Sequence, residues 1–122
     1  MFACRPALLV MFCAALGACT PPASRAPARS PAELEALRPA DARLAAVYER
    51  ACYLCHARAG SGAPLVGDVA AWAPRLAKGQ AALVEQVKQG LGGMPPRGLC
   101  PDCSDDDLAA LIAFMSAPEV KP

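Results

Sequence analysis

The chain has 122 residues, enough for one domain, and a formal net charge of +1, which leaves no electrostatic footprint for a nucleic acid. Hydrophobic residues make up 55% of it but aromatics only 5%, so a core of protein side chains alone is short of large rings, and a bound apolar group would make up the deficit. There are 7 cysteines: Cys4, Cys13 and Cys19 near the N-terminus, and two C-x-x-C pairs, Cys52/Cys55 and Cys100/Cys103.

Residues 1–18 read as a secretory signal. Arg5 gives the positive flank, and the apolar run from Ala7 to Leu16 is too short to span a bilayer. Leu16-Gly17-Ala18-Cys19 resembles the lipobox of bacterial lipoproteins, which implies cleavage before Cys19, acylation of that residue, and an exported protein held at the periplasmic side of a membrane by its lipid. The residue after Cys19 is not Asp, which slightly favours the outer membrane. The competing readings are a buried core helix and ordinary cleavage nearby with a free thiol. Residues 19–30 then form a linker rich in Pro and Ala, too poor in apolar side chains to pack a core, with a reach of roughly 30 Å in a polyproline conformation.

The folded domain is expected over residues 31–118. Ser30-Pro31-Ala32-Glu33 is a helix start, with Ser30 and Glu33 as a capping box and Pro31 at the first helical position. This helix is short, because Pro39 disfavours helix at Arg38. Asp41 caps a second helix in which Leu44, Val47, Tyr48 and Ala51 make one apolar face.

That helix runs into Cys52-Tyr53-Leu54-Cys55-His56, the attachment pattern of a c-type haem. Two thiols about one helical turn apart are spaced to add to the two vinyl groups on one edge of a porphyrin. His56 is then placed to give an imidazole nitrogen to the iron. Gly60-Ser61-Gly62-Ala63-Pro64 is a turn, and a carbonyl near Pro64 is placed to take the other imidazole N–H and fix the tautomer; a plain surface loop is the alternative. Trp72 and Arg75 carry donors for haem propionates, or are an ordinary core tryptophan and a solvated arginine.

Gly79 to Leu91 reads as a helix with Leu83, Val84, Val87 and Leu91 as its stripe, stopped by Gly90, Gly92 and Gly93. Met94-Pro95-Pro96 follows. The prolines stiffen the backbone and push Met94 to an extended conformation, which suits a thioether reaching an iron, whereas a gap-filling methionine has no need of such rigidity. Cys100-Pro101-Asp102-Cys103 is followed by Ser104 and not by histidine, so it is no second haem motif. In an oxidising compartment a local disulfide is expected. A thioredoxin-like centre lacks its strand–helix–strand surroundings, and a four-cysteine zinc site has its pairs too far apart. Ser104 and Asp107 cap a final helix whose stripe is Leu108, Leu111, Ile112 and Met115, flanked by Phe114 and ended by Pro118.

From about Leu44 to Met115 the chain resembles the class I c-type cytochromes, and among them cytochrome c-five. The resemblance is carried by Cys52-x-x-Cys55-His56, Gly62-Ala63-Pro64, Gly67-Asp68-x-x-Ala71-Trp72-x-x-Arg75, Met94-Pro95-Pro96-x-Gly98 and Cys100-x-x-Cys103-Ser104-Asp105. It implies an all-α fold packed around one covalently bound haem c, with the first and last helices crossing beside it. It also implies His56 and Met94 as axial ligands, a Cys100–Cys103 disulfide, and Trp72 and Arg75 near the propionates. An iron with both positions filled has no place for a substrate. The implied function is therefore one-electron transfer between transient protein donors and acceptors, with no catalytic residue and no small-molecule substrate. The alternatives are a cytochrome subunit fixed in a dehydrogenase or oxidase complex, and a sensor or peroxidase if Met94 is labile. The resemblance does not extend to the short helix from Pro31.

Overall fold

A computed structural model describes residues 29–117. The signal segment, Cys19 and its lipobox, most of the linker, and Pro118 lie outside the described residues. Six α-helices occur in the order α1 (Pro31–Ala36), α2 (Ala42–Ala51), α3 (Tyr53–His56), α4 (Val69–Leu76), α5 (Gln80–Gln89) and α6 (Asp105–Ser116), with a 3-10 turn at Pro96–Leu99 between the last two. Among the described residues the sole β-type pairing is the isolated bridge of Leu91 and Met94. The fold is all-α.

Local chemistry sets most helix boundaries. At α1 the Ser30 side chain accepts from the Glu33 amide at 3.3 Å, and Glu33 Oε2 accepts from the Ser30 amide at 2.7 Å. The Asp41 carboxylate accepts from the Leu44 amide at 2.8 Å to start α2, and Ser104 and Asp107 form a second reciprocal pair at α6. Asp68 starts α4 by accepting from the Ala71 amide at 3.0 Å. Pro74 sits inside α4 near its end, where its missing N–H leaves the Ala70 carbonyl without its helical donor and the helix stops two residues later.

α6 packs on α5 and on α2, and the core forms where they meet. Leu108, Leu111, Ile112 and Met115 of α6 are all buried, as are Val47 and Tyr48 of α2 and Leu83 and Val84 of α5. The Tyr48 ring meets Phe114 edge-on, with centroids 5.1 Å apart, so the α2–α6 crossing is made by two aromatic rings. One expected boundary moves. α5 ends at Gln89, and Leu91 is 54% exposed, outside the helix and outside the core. The cause is Gly90 at φ +83°, where a Cβ would lie 2.8 Å from the Met94 carbonyl oxygen; the chain has already turned away from the helix axis.

α1 belongs to the same body. Leu34 and Leu37 are in the core, Leu37 almost completely enclosed. Gly67, at φ +74°, donates its amide to the Met115 carbonyl at 2.7 Å. A Cβ there would overlap the Arg29 guanidinium and lie 3.5 Å from the Ala117 carbonyl oxygen. The two ends of the described chain therefore meet at Gly67.

Candidate haem-binding site

α2 ends at Ala51, and Cys52 at φ −116° turns the axis into α3. The amides of Cys55 and His56 both donate to the Cys52 carbonyl, at 3.2 and 3.0 Å, so the two thiols and the imidazole share one tight turn. Cys52 is partly buried and Cys55 exposed, and neither is in a disulfide. Burial pushes the Cys52 thiol up to about 11. At neutral pH it is a protonated thiol and no thiolate nucleophile, which weighs against cysteine-based catalysis here.

His56 is buried at 6% exposure. Its Nδ1 lies 2.8 Å from the Pro64 carbonyl oxygen. A carbonyl only accepts, so Nδ1 carries the proton and the Nε2 lone pair is left for a metal. Burial lowers the imidazole pKa, the Pro64 contact opposes that, and the nearby Arg75 charge lowers it further; the ring is held neutral, the form that ligates metals. The loop that delivers Pro64 is tied back at several points. Ser61 Oγ donates to the Cys55 carbonyl at 2.7 Å, and the Val66 amide donates to the His56 carbonyl at 2.8 Å.

The Trp72 ring is stacked on His56, with centroids 6.0 Å apart and planes 26° from parallel. Its N–H donates to the Leu65 carbonyl at 2.8 Å. An indole has one donor, so this geometry favours the reading of Trp72 as a core residue over a propionate contact: it packs the imidazole and ties the Leu65 loop. Arg75 Nη1 donates to the Ala71 carbonyl at 2.6 Å, within α4.

Met94 stands on the far side of the Gly92-Gly93 turn, which is closed by Leu91 N–H to the Met94 carbonyl at 3.1 Å and Met94 N–H to the Leu91 carbonyl at 3.0 Å. Met94 forms an isolated antiparallel bridge with Leu91, and Pro95 after it is extended at φ −69° and ψ 159°. Beyond Pro96 the backbone runs left-handed for three residues: Arg97 at φ 57°, Gly98 at φ 59° and Leu99 at φ 66°. A Cβ on Gly98 would come within 3.3 Å of the Met94 methyl. Cys100 and Cys103 are joined in a disulfide with Cα atoms 5.4 Å apart, both buried, which suits a structural link and not an exchange centre. The disulfide takes up two of the four thiols a four-cysteine zinc site would need, which weighs against the zinc reading.

Cys52 and Met94 line one small cleft, together with Val87, Leu108, Leu111, Ile112 and Met115 and the Arg97–Gly98 turn with Cys100. Arg97 is the one charged residue of that lining. A haem fits this set. The wall is apolar, the Cys52 thiol stands in it, and glycine at position 98 leaves room beside the thioether methyl. Cys55 and His56 do not line this cleft but follow Cys52 in the same tight turn, with the neutral imidazole keeping a lone pair.

Two features had no clear sequence signal. The left-handed run is announced only by Gly98, since neither Arg nor Leu is expected at positive φ. The other is a cluster over the haem motif. Tyr53 donates to Glu35 Oε2 at 3.2 Å, and its ring lies under the guanidinium groups of Arg38 at 4.5 Å and Arg58 at 5.2 Å. Glu35 and Arg38 come from the segment around α1 and not from the motif's own stretch, so no spacing reveals them.

Comparison with known proteins agrees with this geometry. Residues 39–115 match the family model described as "Cytochrome C oxidase, cbb3-type, subunit III". The chain is 49% identical over 72 residues to cytochrome c5 of Azotobacter vinelandii, covering 57% of this chain and 87% of that protein. It is 39% identical over 74 residues to cytochrome c-555 of Chlorobaculum thiosulfatiphilum, covering 57% and 86%. Among solved structures, a chain in "Crystal structure of electron transfer complex of nitrite reductase with cytochrome c" aligns with TM-score 0.53 and 44% identity, over 58% of this chain and 86% of that one. An all-helical fold carrying a C-x-x-C-H turn is that of a class I c-type cytochrome, and the chain belongs to that family. Within it, the chain is similar to the cytochromes c5 and c-555, single-haem electron carriers whose cofactor is haem c.

Proposed function

We propose that this chain is a membrane-tethered, periplasmic carrier of single electrons with histidine–methionine axial ligation. Haem c supplies one-electron exchange at its iron. Cys52 and Cys55 would hold it through thioether bonds, and His56 Nε2 and the Met94 sulfur would be the iron's protein ligands. The observation that carries this reading is the Pro64 carbonyl 2.8 Å from His56 Nδ1, which presents Nε2 as the free donor within the attachment motif. Met94 suits the role of second ligand because its backbone is bridged to Leu91 and stiffened by two prolines. Arg75, whose charge reaches His56, is the propionate partner in this reading. The Cys100–Cys103 disulfide braces the segment between Met94 and α6.

The tether rests on the sequence. Residues 1–18 serve as a lipoprotein signal, Cys19 as the acylated residue and residues 19–30 as the linker, ahead of the cytochrome domain at 31–118. No helix of the described residues is long and apolar enough to cross a membrane; the anchor in this reading is the lipid on Cys19. Its partners are redox proteins met in brief encounters through small interfaces. The solved relative in complex with nitrite reductase supports that kind of partner. A second reading, a subunit fixed in an oxidase complex, is favoured by the match to the cbb3-type family model.

The test is the visible spectrum with a midpoint titration. The oxidised protein is expected to show the weak far-red band of methionine–iron ligation. Met94→Ala is expected to abolish it, lower the midpoint potential and open the reduced protein to carbon monoxide. A wild-type reduced protein that binds carbon monoxide rapidly points instead to a sensor or peroxidase. Isolation of the native protein from solubilised membranes, alone or with stoichiometric partners, separates carrier from subunit.

A further inference from the structure

Three consecutive residues, Arg97, Gly98 and Leu99, sit in the left-handed region, and two of them carry side chains that disfavour it. Such outliers persist only where the surroundings over-determine them, and they cluster where a functional group must be held. Four contacts do the holding here. The Gly98 amide donates to the Pro95 carbonyl at 3.0 Å, and the Cys100 amide donates to the Arg97 carbonyl at 3.0 Å. Arg97 Nη2 donates to the Cys103 carbonyl, and the Cys100–Cys103 disulfide closes the same segment. The strained turn is thus laced to the start of α6, and its Gly98 Cα faces the Met94 methyl.

Arg97 also lies in the cleft wall, with its Nε buried and without a hydrogen-bond partner among the described residues. Placing a guanidinium there has an uncompensated cost, and the bond to Cys103 is what the placement secures. We propose that Arg97 is the positioning residue for the Met94 sulfur: its bond to the Cys103 carbonyl locks the left-handed turn, and the turn holds the thioether at the iron. This rests on Met94 being the sixth ligand. The arginine touches neither iron nor electron and acts through the methionine.

The experiment uses the haem-loaded protein and imidazole as the competing ligand, because imidazole binding to the oxidised iron reads how often Met94 is off. Arg97→Gln removes the charged bond to Cys103. It is expected to raise imidazole affinity about tenfold, the worth of one hydrogen bond from a charged donor, while leaving the far-red band present. Arg97→Gly relieves the backbone strain yet still loses the bond. It is expected to behave like Arg97→Gln, so that the bond and not the strain is identified as the lock. Gly98→Ala brings a methyl group against Met94 and provides a second route if the Arg97 variants fail to load haem; it too should raise imidazole affinity. Leu99→Gly, which relieves strain and breaks none of the four contacts, should leave the affinity at the wild-type value. Urea unfolding followed by far-ultraviolet circular dichroism is measured alongside. An Arg97→Gln protein less stable than wild type but unchanged toward imidazole overturns the proposal, since Arg97 is then merely structural. Met94→Ala separates the two levels of the argument. If it leaves the spectrum and the imidazole affinity as in wild type, the ligation reading itself falls; if it changes both while Arg97→Gln changes neither, only the arginine's role falls.

Discussion

At His56 three neighbours divide the labour. Pro64 fixes the tautomer, Trp72 packs the ring face, and burial keeps the ring uncharged. Trp72→Phe keeps the stacked ring and deletes the N–H, leaving the Leu65 carbonyl with the Asp68 amide as its remaining donor. The expected cost is about 1 kcal/mol in urea unfolding, with the midpoint potential unmoved. A potential that shifts markedly would return the indole to the propionates. Cys52, Cys55, His56 and Met94 stand out in the sequence as candidates because the chemistry proposed for them dictates adjacency or a stiff flanking backbone. The competition for the Trp72 donor does not stand out. Leu65 lies seven residues away in a loop whose path depends on where His56 and α6 already sit.

At the scale of the elements, caps and stripes decided most of the fold, and they are local enough to read. Ser104→Ala is expected to cost about 1 kcal/mol, measured by thermal or urea unfolding, because it removes the oxygen that accepts from the Asp107 amide at 3.1 Å. The end of α5 shows what a periodic pattern misses. Leu91 falls on the stripe of Leu83, Val84 and Val87, yet glycine at 90 turns the chain before it can be buried. α1 is the opposite case. Its start was readable, but its docking was not, since Glu35 and Arg38 find Tyr53, Arg58 and Glu49 only in the folded chain. Leu37→Ala is expected to destabilise the domain by about 3 kcal/mol, as for other fully enclosed leucines. A loss near zero would show α1 to be an appendage.

For the whole molecule, acid sensitivity follows from one carboxylate above the rest. The Arg43 guanidinium, and then the Ser104 amide, hold Asp107 well below its usual value of 3.8. A folded pKa depressed in this way contributes stability above the unfolded value and loses it as the pH falls through the folded one. Asp107→Asn is therefore expected to be less stable than wild type near neutrality, and the gap in urea midpoint should close as the pH drops beneath 3.8. A gap independent of pH would assign the effect to packing. Reducing the disulfide, or replacing both Cys100 and Cys103 by serine, is expected to cost about 2 kcal/mol by the chain-entropy relation for so short a loop.

The meeting of residue 29 with the end of α6 at Gly67 has a practical corollary. Since Arg29 and Ala117 both flank that glycine, a few added residues would join them into a continuous ring, and the ring could be reopened at the exposed turn of Gly60 and Ser61. Such a circularly permuted protein should still fold and hold its haem, while any tag or surface attached at the new ends would leave from the Gly60–Ser61 turn.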